Sequence, residues 1–467
     1  MLKVLAKNVR KKNHRYISYY SLRNHSRLKD IDDETYNILK SYKNKNDINL
    51  SVVHNIMPRY MKEYLSIDLN PNIFVNNKNI EMLEYIALNS FNLEKKYWGC
   101  LVSTTSLNNN NNNKSIDDYF FNKLYGHFLK KECKILRINF CLEQNIENNI
   151  SSDIMQNIYN VINIQNINEP NYNEMQKISN DFNPDIIYID ESNNPYNIDY
   201  DKFIKGIKNK NNKIHNKPII ITNMNNKASL ISQNFINSPF THSDIVFTYF
   251  NENFRAHNSF VIFYKKGYKC VNTDGHIIEY DYEKKLKHTF GNAYLNNIFF
   301  SFFTSFKLMK NEEFKEYVKQ TKENTYTLYK YINRKYFYLQ YSQNNNFFNL
   351  NPSNCTFNVQ EFYLLCNKLN IYFDILKDKS SNQKSFNIGS NYLTTLGLLT
   401  HDIKNVAEFF NESVVLYFYL KEKSKLSNMS FIQYIENNSS ASDIFSLAVD
   451  ISSFISSYPS PYTNEAK

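Results

Sequence analysis

Chemistry at a protein site needs nucleophiles, proton-transfer groups, metal ligands or an anion-binding backbone, and this chain is sparing with several of these. Its six cysteines, at positions 100, 133, 141, 270, 355 and 366, include no C-x-x-C pair. They read as buried thiols of a reducing compartment, and no metal site is expected. His257, His276, His288 and His401 show no pairing with acids or cysteines at ligand spacing, and read as ordinary surface or core residues. Only 8 of the 467 residues are glycine, against a usual share of about 7%. Glycine lets a backbone approach a phosphate or turn through positive φ, so a cofactor enzyme built on such loops is expected to hold more of it. One stretch, Ser238 to Gly267, sets His242, Asp244, Glu252 and Arg255 before and between strand-like runs.

That stretch, Ser238-Pro-Phe followed by His242-Ser-Asp-Ile-Val246, Thr248-Tyr-Phe-Asn-Glu-Asn-Phe-Arg255 and Ile262-Phe-Tyr-Lys-Lys-Gly267, resembles serine hydroxymethyltransferase, where S-P-F, x-H-x-D-I-V, T-H-K-T-L-R-G and I-F-Y-x-K-G follow one another. Weaker pieces are in the same order: Asn55, Arg59, Glu63 and Leu65 in an S-E-N-F-like segment, Trp98-Gly99, Asn183-Pro-Asp-Ile-Ile187, Ile198-Asp-Tyr-Asp-Lys-Phe203, Glu313-Phe-Lys-Glu-Tyr317 and Tyr458-Pro-Ser-Pro461. The resemblance implies a pyridoxal phosphate site, and this chain departs from it at each residue that would do chemistry. Glu252 stands at the Schiff-base lysine, and a carboxylate forms no imine. Asn223 stands at the acid that pairs with the pyridine nitrogen, and Asn226 at the histidine of the same motif; a neutral amide does not hold a pyridinium. His54 stands at the acid/base glutamate, a change that still permits proton transfer near neutral pH. Asn387 stands at the arginine that grips the substrate carboxylate, removing a bidentate contact. The phosphate loop corresponds to Ser106-Leu-Asn108, and the G-G-P segment falls near Gly291-Asn-Ala-Tyr294 without its glycine pair. The stretch with the ring-stacking histidine has no counterpart. Ser106 and Arg255 are the residual cofactor-binding candidates, Arg255 either holding an anion or serving structural hydrogen bonds.

The elements that must position these residues follow from periodicity. Short β-branched or aromatic runs at Lys134–Phe140, Asp185–Ile189, Pro218–Ile221 and Phe260–Tyr264 alternate with polar helical stretches, which predicts a parallel sheet with crossover helices. The resemblance implies the same α/β class: a fold-type I, aminotransferase-like large domain with a parallel-rich mixed sheet, plus a smaller α+β C-terminal domain. Expected boundaries are a leader over 1–29, an N-terminal helical segment over 30–70, the large domain over 71–300 and the small domain over 301–467. A long helix is expected over Ser305–Tyr329, a strand at Phe337–Tyr341 and a final helical stretch from Ser430. The asparagine run at 108–113 reads as a surface loop.

The net charge of +10 resides in the leader. Residues 1–29 hold nine lysines or arginines and no acid, so ten minus nine leaves +1 for the rest. Such a basic, acid-free segment reads as a mitochondrial transit peptide, with another organelle or an RNA- or membrane-binding arm as alternatives. The near-neutral body argues against nucleic-acid binding, and no apolar run approaches the ~20 residues of a membrane span. The expected function is a catalytically inactive, structural or regulatory relative of the family in mitochondrial one-carbon metabolism, without cofactor. It would pair as a homodimer, or as a heterodimer with an active serine hydroxymethyltransferase. The alternative is an active enzyme interconverting serine and glycine with tetrahydrofolate, holding pyridoxal phosphate through a displaced lysine; Lys227, Lys265 and Lys266 lie near enough in sequence, and Lys227 is the best placed.

Overall fold

The structure, a computed structural model, describes residues 32–37, 47–66, 76–103, 124, 133–139, 159–165, 169–207, 217–271, 275–290, 296–353, 357–377, 384–437 and 442–458. The leader 1–29, the asparagine run 108–113, Ser106 and Gly291–Tyr294 lie outside these residues.

A two-residue strand, β1 (Ile48–Asn49), precedes the large domain. There β2 (Trp98–Ser103), β3 (Lys134–Asn139), β4 (Asn160–Gln165), β5 (Ile186–Asp190), β6 (Ile219–Asn223), β7 (Ile245–Phe250) and β8 (Ser259–Lys265) form one seven-stranded sheet in the order β2-β8-β7-β6-β5-β3-β4. The pairs from β7 to β4 are parallel, and β8 runs antiparallel to both its neighbours. The runs read at Lys134–Phe140, Asp185–Ile189, Pro218–Ile221 and Phe260–Tyr264 therefore each become a strand of this sheet. The central ones are apolar on both faces because helices cover both; β7 and β8 are buried along almost their whole length. Phe250, Phe263 and Phe302 fill the core on one side, and Phe247, Phe260 and Tyr264 the other. Each such ring contributes about 1.5–3 kcal/mol on burial. The hairpin of β9 (Tyr268–Val271) and β10 (Ile277–Glu279) follows.

The small domain is a four-stranded antiparallel sheet, β11-β12-β15-β14, with β11 at Phe337–Gln340 and β12 at Phe347–Pro352. After the short strand β13 (Ile371–Tyr372) come β14 (Asp374–Lys377) and β15 (Lys384–Gly389). Helices Glu312–Tyr331, Val359–Lys368 and Thr400–Leu426 share its core. The expected final helical stretch is present as Phe431–Asn437 and Ser442–Ser456.

Two expectations need correction. The helix read over Ser305–Tyr329 is two helices, Asn296–Leu308 and Glu312–Tyr331, broken at residues 309–311. The first packs its phenylalanines into the large-domain core, and the second reaches both cores, with Phe314 and Val318 in the large-domain one and Leu328 in the small-domain one. The helical periodicity read from residue 30 also fails over 47–57, where the chain is extended. There β1 pairs in parallel with β13 of the small domain. Ser51 Oγ and the Val52 N–H donate to the Asp374 carboxylate at 2.7 and 2.8 Å. A strand-like tether beats helix propensity because its backbone groups find partners in the small domain.

Candidate functional site

In a parallel α/β sheet the ligand crevice lies beyond the carboxyl ends of the strands. The ends of β3, β5 and β6 place Asn139, Asp190 and Asn223 side by side in register. Asn223 is fully buried. Its Nδ2 donates to Asp190 Oδ1 at 3.1 Å, and its Oδ1 accepts the Asn225 N–H at 3.0 Å. The expected acid position is thus neutral, while a carboxylate that sequence reasoning missed stands one strand away. Asp190 also accepts the Ser192 N–H at 2.9 Å. Burial raises its pKa, and its hydrogen bonds and the charge of Arg137 oppose that rise. The signal that could have found it is the acid pair Asp190-Glu191 closing an otherwise apolar strand.

The next turn holds Asn226 with a left-handed backbone, φ 63°. Its Nδ2 donates to the Ser192 carbonyl at 2.9 Å, and its own carbonyl accepts from Asn346 at 3.1 Å. Lys227 follows and is completely buried. Its Nζ lies 2.8 Å from Glu191 Oε2 and donates to the Tyr196 carbonyl at 2.6 Å. Burial lowers the lysine pKa and raises that of the glutamate, and their contact opposes both shifts without cancelling them.

Past the end of β7, Asn251 Oδ1 accepts the Asn253 N–H and starts one tight turn over Glu252–Phe254. Phe254 stacks on Phe250 at 4.3 Å, which anchors the turn to the core. Glu252 lies here, partly buried; its charge, after burial, raises the Tyr249 pKa. His257 donates a ring N–H to the Met61 carbonyl at 3.2 Å, and burial lowers its pKa. Arg255 takes a left-handed backbone, φ 54°, a strained choice for a residue that is neither glycine nor asparagine. Its guanidinium bonds the Ile56 carbonyl at 3.3 Å and Thr395 Oγ1 at 3.1 Å, and lies over the Tyr317 ring. These contacts tie the extended tether to the helix Asn391–Thr395 of the small domain.

His54 and Asn387 do come together. Both line a cavity of about 390 Å³ with Asn193, Asp374, Tyr363 and Phe373. His54 is exposed at its rim, and Asn387 is buried with its Nδ2 on Asn193 Oδ1 at 3.1 Å. Glu252, Asn223 and Asn226 are not among its walls. His242 and Asp244 sit at the opposite end of the sheet, beside a second cavity of about 370 Å³. There His242 meets Asp201 at 2.7 Å, while Asp244 accepts from the Ile220 N–H and from Lys265.

These residues do not fit pyridoxal phosphate held as an imine. Of the three lysines near in sequence, Lys227 is committed to Glu191, Lys265 to Asp244 and Lys266 to Glu84. The last two lie at the far end of the sheet from Glu252. Among the described residues there is no cluster of histidine, cysteine or acid able to hold a metal, and no helix long and apolar enough to cross a membrane.

A family model for serine hydroxymethyltransferase matches residues 77–410. The mitochondrial serine hydroxymethyltransferase of Candida glabrata is 28% identical over 261 residues, 52% of this chain and 53% of that protein. The mitochondrial serine hydroxymethyltransferase of Saccharomyces cerevisiae is 25% identical over 303 residues, 62% of this chain and 61% of that protein. The serine hydroxymethyltransferase of Bombyx mori is 25% identical over 260 residues, covering 53% and 55%. The chain therefore spans between about half and three-fifths of the length of these relatives. With well over half its length matched by the family model, the chain belongs to the serine hydroxymethyltransferase family, whose fold is the fold-type I architecture described above.

Proposed function

We propose that this member of the serine hydroxymethyltransferase family has lost hydroxymethyl transfer. It serves instead as a structural or regulatory partner in mitochondrial one-carbon metabolism, as a homodimer or paired with an active serine hydroxymethyltransferase. The observation that carries this reading is the state of the amines. Glu252 occupies the turn after β7, and the three lysines that stand nearest in sequence are each paired with an acid. A lysine must be deprotonated and free to attack an aldehyde, and Lys227 is buried and engaged by the Glu191 carboxylate at 2.8 Å. Asn223 adds a neutral amide where the ring nitrogen would need an acid. The mitochondrial names of two relatives and the basic leader support the location. Family members assemble as oligomers that build sites across subunits, so a copy without catalysis can still pair through the retained fold.

The test is a visible absorption spectrum of the purified chain titrated with pyridoxal phosphate, before and after borohydride. No aldimine band and no reducible adduct are expected. A saturable band trapped on a mapped lysine would return the chain to the active enzymes.

A further inference from the structure

The cavity shared by His54 and Asn387 sets the acceptors Asn387 and Asp374 in a largely apolar and aromatic wall. Asn387 is 2% exposed, donates its Nδ2 to Asn193, and leaves its Oδ1 without a partner. Across the ladder, Asn349 is equally buried and lies behind the cavity, not among its walls. It donates to the Asn193 main-chain carbonyl at 3.3 Å, an arrangement that fixes which end of its amide is the oxygen, and that oxygen too has no partner. Register sets Asn349, Asn387 and Asp374 in one row on one face of the small-domain sheet. Asp374 accepts Ser51 Oγ and the Val52 N–H; burial raises its pKa, those hydrogen bonds and the charge of His54 oppose the rise, and no described lysine or arginine pairs with it or lines the cavity. A buried acceptor without a donor, and a buried carboxylate faced by a histidine at the rim but by no described lysine or arginine, are costly unless something donates to them. Tyr363 and Phe373, in edge-on contact at 5.5 Å, supply aromatic wall, a surface that attracts cations.

We propose that this cavity binds a small organic ammonium with an apolar body and no carboxylate, the charged nitrogen directed to Asn387 Oδ1 and Asp374 and the body against Tyr363 and Phe373. The polarity is the reverse of a carboxylate-gripping site, since oxygen atoms stand where a guanidinium would. The inference rests on the proposed loss of the family's reaction, because a resident aldehyde would itself capture an amine.

The experiment is isothermal titration calorimetry of the full chain with benzylamine and with benzoate, its anion of similar shape, at neutral pH. An absorption spectrum of the same sample with added pyridoxal phosphate reports separately on the proposed function. An aldimine band there overturns the loss of catalysis and leaves the calorimetry of cofactor-free protein to judge the cavity. Saturable benzylamine binding and no benzoate binding are expected. Asp374→Asn should weaken benzylamine about tenfold by removing a charge-assisted contact. Because Asp374 also anchors the tether, His54→Arg, on an exposed residue, is the second variant. It brings a fixed cation to the rim and should weaken binding at least about threefold, an effect that salt reduces. Benzoate binding as tightly as benzylamine, no binding of benzylamine at tens of millimolar, or binding unchanged in both folded variants would overturn the proposal.

Discussion

At the scale of single residues, the Lys227–Glu191 pair governs the site's behaviour. Both side chains are buried, and Glu191 Oε1 has no partner, so the glutamate depends on Lys227 for compensation. Lys227→Met should lower stability by about 3–5 kcal/mol by stranding a buried charge. The double variant Glu191→Leu with Lys227→Met should recover most of that loss in urea denaturation; a double variant as unstable as the single one would show that packing, not charge, sets the cost. His257 gives a pH signature. Burial lowers its pKa in the fold, so below the ordinary value of 6.5 the unfolded chain takes up a proton that the folded chain refuses. Its contribution is present above pH 6.5 and is lost as pH falls towards the depressed value. His257→Gln should flatten that acid side of the melting-temperature profile, and an unchanged slope would assign it to other groups.

Among the elements, the scarcity of glycine resolves into a substitution of backbone chemistry. Of the described non-glycine residues with positive φ, all but Arg255 are asparagine: 92, 183, 226, 234, 344, 370 and 428. Asparagine tolerates the left-handed region better than other side chains. Asn183, for example, ends the helix Tyr172–Phe182 at φ 58°, with its N–H on the Ser179 carbonyl. Glycine scarcity therefore did not by itself mean lost turns, a point the composition leaves open. Asn183→Ala should cost about 1–2 kcal/mol, because the left-handed cap then carries an ordinary Cβ, while Asn183→Gly should leave stability equal or higher. Equal stability of Asn183→Ala and wild type in denaturant would mean that this helix end is not strained.

Across the whole molecule, amides join the two domains. Asn345 donates to the Asn194 carbonyl, Asn346 to the Asn226 carbonyl and Asn349 to the Asn193 carbonyl, while the Ser342 N–H reaches the Pro195 carbonyl. Arg255 and the tether over 47–57 add a second seam. The wild-type chain should unfold in one transition. Asn346→Ala with Asn349→Ala, each removing a buried hydrogen bond at about 1–2 kcal/mol, should separate the domains into two transitions in calorimetry. A single sharp transition in the double variant would locate the coupling in the tether instead.

What the sequence determined by itself was local and ordered: the strand runs and the motif from Ser238 to Gly267. These are legible because side-chain identity and short periodicity carry them. Tertiary structure alone decided the rest. It placed Asp190 beside Asn223, buried Lys227 against Glu191, turned Arg255 inward to Ile56 and Thr395, and sent His242 and Asp244 to the far end of the sheet. It also made residues 47–57 a strand-like tether where helical periodicity was read. Each of these depends on partners distant in the chain, and burial without a partner, which is what makes a polar group costly, exists only once the chain has folded.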